Sequence, residues 1–266
     1  MKIGFFDSGL GGLQILRAVV KKLPRYDVVY LGDTKRVPYG NRSLEVIHEF
    51  TRQGVEFLFQ QNCKLVILAC NTVSTNALRR IQHDYLPRYF PNRRVLGMIV
   101  PTVEELDERG IQKAGLIATT ATVRSNAYGR EIKKIDPSIR LLQRPAPLLV
   151  PLVELGGLAF TDAVLKKALR PLLKRNVEAI VLACTHYSIL KRKVRRIVGP
   201  NVRIISQDEI IPKKLKNYLK RHPEIDRHLS KLGHRTLYVT DLTPETKRLA
   251  RRWFGTATRL QAINLG

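Results

Sequence analysis

The sequence is short of cysteine, of acidic side chains and of long apolar runs. Its three cysteines, Cys63, Cys70 and Cys184, are too few and too odd in number for a disulfide framework. No two of them stand two to four residues apart, and only His186 is near one, so no metal site is expected. No apolar stretch reaches the roughly 20 residues that span a bilayer. The opening MKIGFFDSGLGG has no cleavable signal pattern, so a cytoplasmic protein with no membrane partner is expected. Acidic residues number 22 against 47 Lys and Arg, a formal net charge of +25. The basic residues gather in 191–199, 212–222 and 246–255. Either these are solvated helix faces, or they are an electrostatic footprint for nucleic acid. No nucleic-acid-binding motif accompanies them, so any such binding is expected to be non-specific.

What the chain does have is a repeated rhythm. MKIGFFD reads as a strand, the glycines at 9, 11 and 12 as a turn, and LQILRAVVKKL as an amphipathic helix. DVVYLGD is a second strand and LVILAC a third, with a helix from Leu44 to Gln60 between them. NTVSTNALRRIQHDYL then returns as a helix. After a boundary near Gly97 to Pro101 the pattern restarts. A helix from about Val103 to Arg109 precedes the strand KAGLIAT, the helix TATVRSNAYGREIKKI and the strand IRLLQR. A helix around 162–175 leads to the strand AIVLAC, and HYSILKRKVRRI follows as a helix. Strands alternating with helices predict an α/β protein of two similar parallel-sheet domains, with ligands bound beyond the carboxyl ends of the strands.

Two buried strands end alike. LVILAC closes at Cys70 and continues Asn71-Thr72, and AIVLAC closes at Cys184 and continues Thr185-His186. A single cysteine at a strand end is ordinary packing, and Cys63 is read that way. The same arrangement in both halves is harder to assign to packing. A cysteine that opens a helix is expected to have a lowered pKa and to act as base or nucleophile. Two equivalent acid/base groups suit inversion at a carbon, with one removing a proton from one face while the other returns a proton to the opposite face. Asp7-Ser8 and Thr119 to Thr122 add polar groups at two other strand ends. A substrate with carboxylates at both ends would suit helix starts facing each other. Asp7 also reads as a turn residue and His186 as a helix cap. Tyr39 reads as a loop aromatic, and Glu154 as an ordinary acid at a helix end.

The segments FDSGLGGL (6–13), VYLGDTKRVPYGNRS (29–43), ACNTVS (69–74), GLIATTATVRSNAY (115–128), VPLVELG (150–156), ACTHYS (183–188) and VTDL (239–242) together resemble the glutamate racemases of the aspartate/glutamate racemase family. The resemblance covers nearly the whole chain. It implies a cofactor-independent isomerase that interconverts L- and D-glutamate and supplies D-glutamate for peptidoglycan. It implies Cys70 and Cys184 as the catalytic thiols, with Asp7, His186 and Glu154 assisting. It further implies Ser8, Pro38, Tyr39, Gly40, Asn71, Thr72, Thr119, Thr122 and Thr185 around the substrate. Two related domains, a pseudo-two-fold axis, an active site in the cleft between them and a homodimer follow from the same resemblance. So does a last segment that returns to the first domain, giving domains of residues 1–97 with 207–266, and of residues 98–206.

The sequence departs from the family pattern at Ser188, where proline is usual, and at Ser206-Gln207, where Asp-Ser is usual. The first is expected to loosen a turn, the second to alter the crossing between domains. Two other functions stay open. One is an aspartate racemase of the same family, since sequence does not show pocket depth. The other is a basic nucleic-acid- or topoisomerase-binding protein on a racemase scaffold.

Overall fold

The computed structural model describes residues 1–265. Among these residues ten strands form two parallel sheets. The first holds β1 (Lys2–Asp7), β2 (Val28–Gly32), β3 (Cys63–Leu68) and β4 (Arg94–Leu96). The second holds β5 (Lys113–Ala118), β6 (Arg140–Pro145), β7 (Ala179–Ala183) and β8 (Arg203–Ser206). β9 (Arg235–Val239) and β10 (Leu260–Ala262) return to the first sheet beside β2. The strand orders are β10-β9-β2-β1-β3-β4 and β6-β5-β7-β8.

The order β2-β1-β3-β4 is repeated as β6-β5-β7-β8, so the two halves are built alike. In each, the strand order reverses beside the first strand, between β1 and β3 and between β5 and β7. A crevice opens at such a switch point because the connections leave toward opposite sides. Asp7 ends β1 and Cys70 follows β3, while Thr119 follows β5 and Cys184 follows β7. Each cysteine therefore stands at the switch point of its own sheet. The central strands are buried on both faces, as their unbroken Val, Ile and Leu runs require, and β2 and β7 are buried at every residue.

Several helices differ from their expected extents. The helix over 71–86 is broken into Asn71–Asn76, Leu78–Arg80, a π-helical turn Ile81–Tyr85, and Leu86–Tyr89. Pro87 has no N–H to give to the preceding turn, which disfavours a regular helix there. The helix over 120–135 divides at Asn126, whose φ of 47° is left-handed. The segment after Cys184 starts as a 3₁₀ turn, Thr185–Leu190, before the helix Lys191–Val198. The helix expected from Val103 begins earlier, at Ile99, so Pro101 falls in its first turn, where a missing N–H costs nothing. The helices Gln207–Arg221 and Pro244–Trp253 carry two of the basic clusters, and Lys191–Val198 carries the third. Each buries an apolar stripe, such as Ile211, Leu215 and Leu219, and turns its lysines and arginines outward. Some of these cations are paired, as Lys191 is with Asp208 and Glu209, and Lys214 with Glu104 and Glu108.

One apolar cluster runs through both halves, from Leu13, Leu16 and Val19 to Leu169, Tyr187 and Leu190. The returning C-terminal segment is pinned by Asp27, which is 3% exposed. One carboxylate oxygen accepts the backbone N–H groups of Leu232 and His234 at 3.0 and 2.9 Å, and the other accepts Ser230 Oγ at 2.7 Å. Replacing Asp27 by Ala removes three hydrogen bonds to a carboxylate, each worth about 1.5–3 kcal/mol. Urea unfolding of Asp27→Ala should show a loss of at least that order, and a loss within error of zero would mean that the segment is held elsewhere.

Candidate active site

Cys70 closes the apolar run of β3 and stands at the start of the Asn71–Asn76 helix. It is 7% exposed, and Ser8 Oγ lies 3.2 Å from its sulfur. A lowered thiol pKa was expected from the helix start, and the structure corrects this. Burial, and then the neighbouring charge of Asp7, push Cys70 up to about 12, outweighing the Ser8 hydroxyl and the Val73 N–H. A six-residue helix offers too little field to offset the loss of water. Asp7 is itself buried. Its Oδ2 accepts the backbone N–H groups of Gly9 and Gly12 at 3.2 and 3.0 Å, while its Oδ1 has no hydrogen-bond partner among the described residues. Burial raises the Asp7 pKa, and His186 and the two N–H groups oppose that rise.

Cys184 is 8% exposed at the end of β7. Its sulfur lies 3.9 Å from His186 Nδ1, and His186 Nε2 is 2.8 Å from Glu154 Oε1. Burial disfavours charge on His186, but Cys184 and Glu154 outweigh it and lift the imidazole pKa to about 10. At neutral pH the ring is therefore an imidazolium held between a sulfur and a carboxylate, with Trp253 nearly perpendicular to it at 5.5 Å between centroids. The two halves meet here through Gly11. A Cβ at that position would stand 2.3 Å from Thr185 Oγ1 and 2.7 Å from His186 Nδ1. Only a glycine lets the Asp7–Gly12 loop approach so closely, which gives a physical reason for the DSGLGG run.

The remaining expected residues fall into two groups. Thr72 Oγ1 meets Thr119 Oγ1 at 2.9 Å, and Thr119 Oγ1 donates to Thr122 Oγ1 at 3.0 Å, forming a hydroxyl chain from one half to the other. The Pro38-Tyr39-Gly40 turn lies beside it, since a Cβ on Gly40 would be 3.6 Å from Thr119 Cβ. Tyr39 is not a free loop aromatic. It is buried, and its hydroxyl donates to Asp33. Asn71 is committed to a network with Gln207 and Tyr128. Gln207, Tyr128, Thr102 and Trp253 were missed by sequence reasoning. Gln207 had a signal, because it stands out as a departure at the domain crossing. Among the described residues no group of three or more His, Cys, Asp or Glu side chains is gathered as a metal site would need, and no helix is long and apolar enough to cross a membrane.

Two sheets of one topology, each with a thiol at its switch point, belong to the class of amino-acid racemases, which are isomerases. Residues 11–210 match the Asp/Glu/hydantoin racemase family, and the chain belongs to that family. A glutamate racemase of Paracoccus denitrificans is 38% identical over 85% of this chain and 87% of its own length. One from Microcystis aeruginosa is 34% identical over 99% and 91%. The structure of Francisella tularensis glutamate racemase in complex with D-glutamate superposes with a TM-score of 0.88 at 32% identity, covering 99% of this chain and 97% of that one.

The raised His186 pKa has a definite pH signature. The folded state binds this proton more tightly than the unfolded chain, so its stabilisation is complete below about 6.5 and is lost as pH rises toward about 10. Glu154→Gln removes one of the two groups that hold the charge. An NMR titration of His186 should show a midpoint near 10 in the parent and a clearly lower one in Glu154→Gln, with a shallower loss of stability above pH 6.5. Equal midpoints would mean that Glu154 does not act on the imidazole.

Proposed function

We propose that the chain interconverts L- and D-glutamate by passing the α-proton between Cys70 and Cys184, one on each face of the α-carbon. The observation that carries this reading is the placement of the two thiols at equivalent switch points of two repeated sheets. One loop adjoins both, since Ser8 Oγ lies 3.2 Å from the Cys70 sulfur and Gly11 packs against Thr185 and His186 beside Cys184. One sulfur, as thiolate, takes the α-proton, and the C–H electron pair stays on the substrate, delocalised into its carboxylate. The other sulfur, as thiol, returns a proton to the opposite face. Each turnover leaves the roles exchanged, so the reaction runs both ways with no net proton and no redox change. The groups already present supply both transfers, so activity without pyridoxal phosphate, metal or nucleotide follows.

The supporting groups differ between the two sides, and so does their chemistry. The imidazolium of His186 lies beside the Cys184 sulfur, while burial favours the neutral thiol at Cys70. This resting arrangement suits removal of the proton from L-glutamate by Cys184 and its return from Cys70. In the reverse direction Cys70 takes the proton of D-glutamate, with Ser8 and the open oxygen of Asp7 beside it. Asn71, Thr72, Thr119, Thr122 and Thr185 offer hydroxyl and amide groups that can hold two carboxylates. Glutamate as substrate rests on the relatives, which are glutamate racemases, and on these groups. The cellular role that follows is supply of D-glutamate for peptidoglycan.

Circular dichroism of L- and D-glutamate, beside aspartate, with purified protein and no added cofactor tests the substrate. Glutamate should racemise at the higher kcat/KM, and a preference for aspartate would overturn the choice. Cys70→Ala and Cys184→Ala should each lower racemisation by about 10²–10⁴-fold, the usual contribution of a general acid or base. In deuterium oxide, Cys184→Ala should still exchange the α-hydrogen of D-glutamate with retention, and Cys70→Ala that of L-glutamate. Near-normal racemisation by either variant would remove the two-thiol mechanism.

A further inference from the structure

Gln207 is 2% exposed at the start of the Gln207–Arg221 helix. Its side-chain amide forms a closed pair with that of Asn71. Asn71 Nδ2 donates to Gln207 Oε1 at 2.6 Å, and Gln207 Nε2 donates to Asn71 Oδ1 at 2.9 Å. Turning both amides over together would preserve this pair, so the pair alone does not fix which atom of Asn71 faces which way. The third partners decide it. Thr102 Oγ1 donates its single proton to Met98 O at 2.6 Å, so toward Gln207 it is only an acceptor, and Gln207 Nε2 donates to it at 3.2 Å. Tyr128 Oη gives its own proton to Asn71 Oδ1 at 2.7 Å and lies 2.9 Å from Gln207 Nε2, whose two hydrogens serve three acceptors, so that one of them is shared. The backbone carbonyl of Met98, just before the Ile99–Glu108 helix, thus sets the polarity of a relay that ends at Asn71.

From this relay we infer that Gln207 is a positioning residue that fixes Asn71 as a hydrogen-bond donor to the substrate. Asn71 Oδ1 is filled by Tyr128 and Gln207, and one Nδ2 hydrogen is filled by Gln207. The second Nδ2 hydrogen is the polar group Asn71 has left to offer. It suits an acceptor such as a carboxylate and disfavours an ammonium. This deepens the glutamate reading and rests on it. The selectivity then arises one residue away from the substrate, in the side chain that orients Asn71.

Two variants and a cycle test the inference. Gln207→Leu removes every amide bond, and Gln207→Glu keeps the shape but, when ionised, cannot donate to Thr102 or Tyr128. Each should raise KM for glutamate about 10-fold, the scale of one lost charge-assisted hydrogen bond, with kcat within about threefold. The effect should vanish when Asn71 is already Ala, because Gln207 acts through that side chain. Equal KM in parent and Gln207 variants, or a full effect in the Asn71→Ala background, would overturn it. Neutron diffraction of the parent reads the relay without substrate. The Tyr128 deuteron should point to Asn71 Oδ1, and a deuteron on the Gln207 side would overturn the inference even in an active enzyme. An inactive parent with the expected deuterons would instead count against the glutamate reading while leaving the relay intact.

Discussion

Removing a carboxylate, a thiol and an imidazole from water costs several kcal/mol for each one that stays charged, unless a partner replaces the lost solvent. Asp7, Cys70, Cys184 and His186 are all buried in one place, and the arrangement around them answers that cost. His186 takes Glu154 on one nitrogen and the Cys184 sulfur on the other, and keeps its proton. Asp7 takes two backbone N–H groups on one oxygen. Cys70 takes no cation and is pushed toward the neutral thiol. The two sides of the cleft are thus chemically unlike at rest, although the sheets that carry them are built alike.

Repetition provides the geometry that burial alone cannot. A crevice beyond a parallel sheet has one reactive face, whereas a reaction that inverts a carbon needs two. Duplicating the order β2-β1-β3-β4 as β6-β5-β7-β8 provides the second switch point. The halves are then joined by contacts that tolerate little error. These include the Gly11 approach to Thr185 and His186, the Thr72–Thr119 hydroxyl pair and the Tyr128–Asn71 hydrogen bond. All three lie beside the thiols, so the interface that holds the halves together also shapes the site.

Much of this was legible in the sequence. The apolar runs ending at Cys70 and Cys184 marked both buried strands, and the helix from Leu44 to Gln60 was bounded correctly because its periodicity is strong and Ser43 caps it. Short strands at the sheet edges were not legible. β4 and β10 have three residues each, too few for a period, and β8 runs directly into a helix. The breaks at Asn126 and before Pro87 were hidden inside helical patterns. The ionisation of Cys70 was misread because a helix start is visible in sequence and burial beside Asp7 is not. Glu154 and His186 stand 32 positions apart, and nothing local relates them. Gln207 could be noticed only as an unusual residue, since its partners come from three separate helices.

The central claim is that two separate groups handle the α-proton, one on each face. Racemisation of L-glutamate in deuterium oxide tests this most directly when followed by NMR at low conversion. If two thiols act, the D-glutamate formed carries solvent deuterium at the α-carbon from the first turnover, while the remaining L-glutamate stays protiated. Product D-glutamate that keeps the substrate's own α-proton would mean that one group carries the proton from face to face, and would contradict the account.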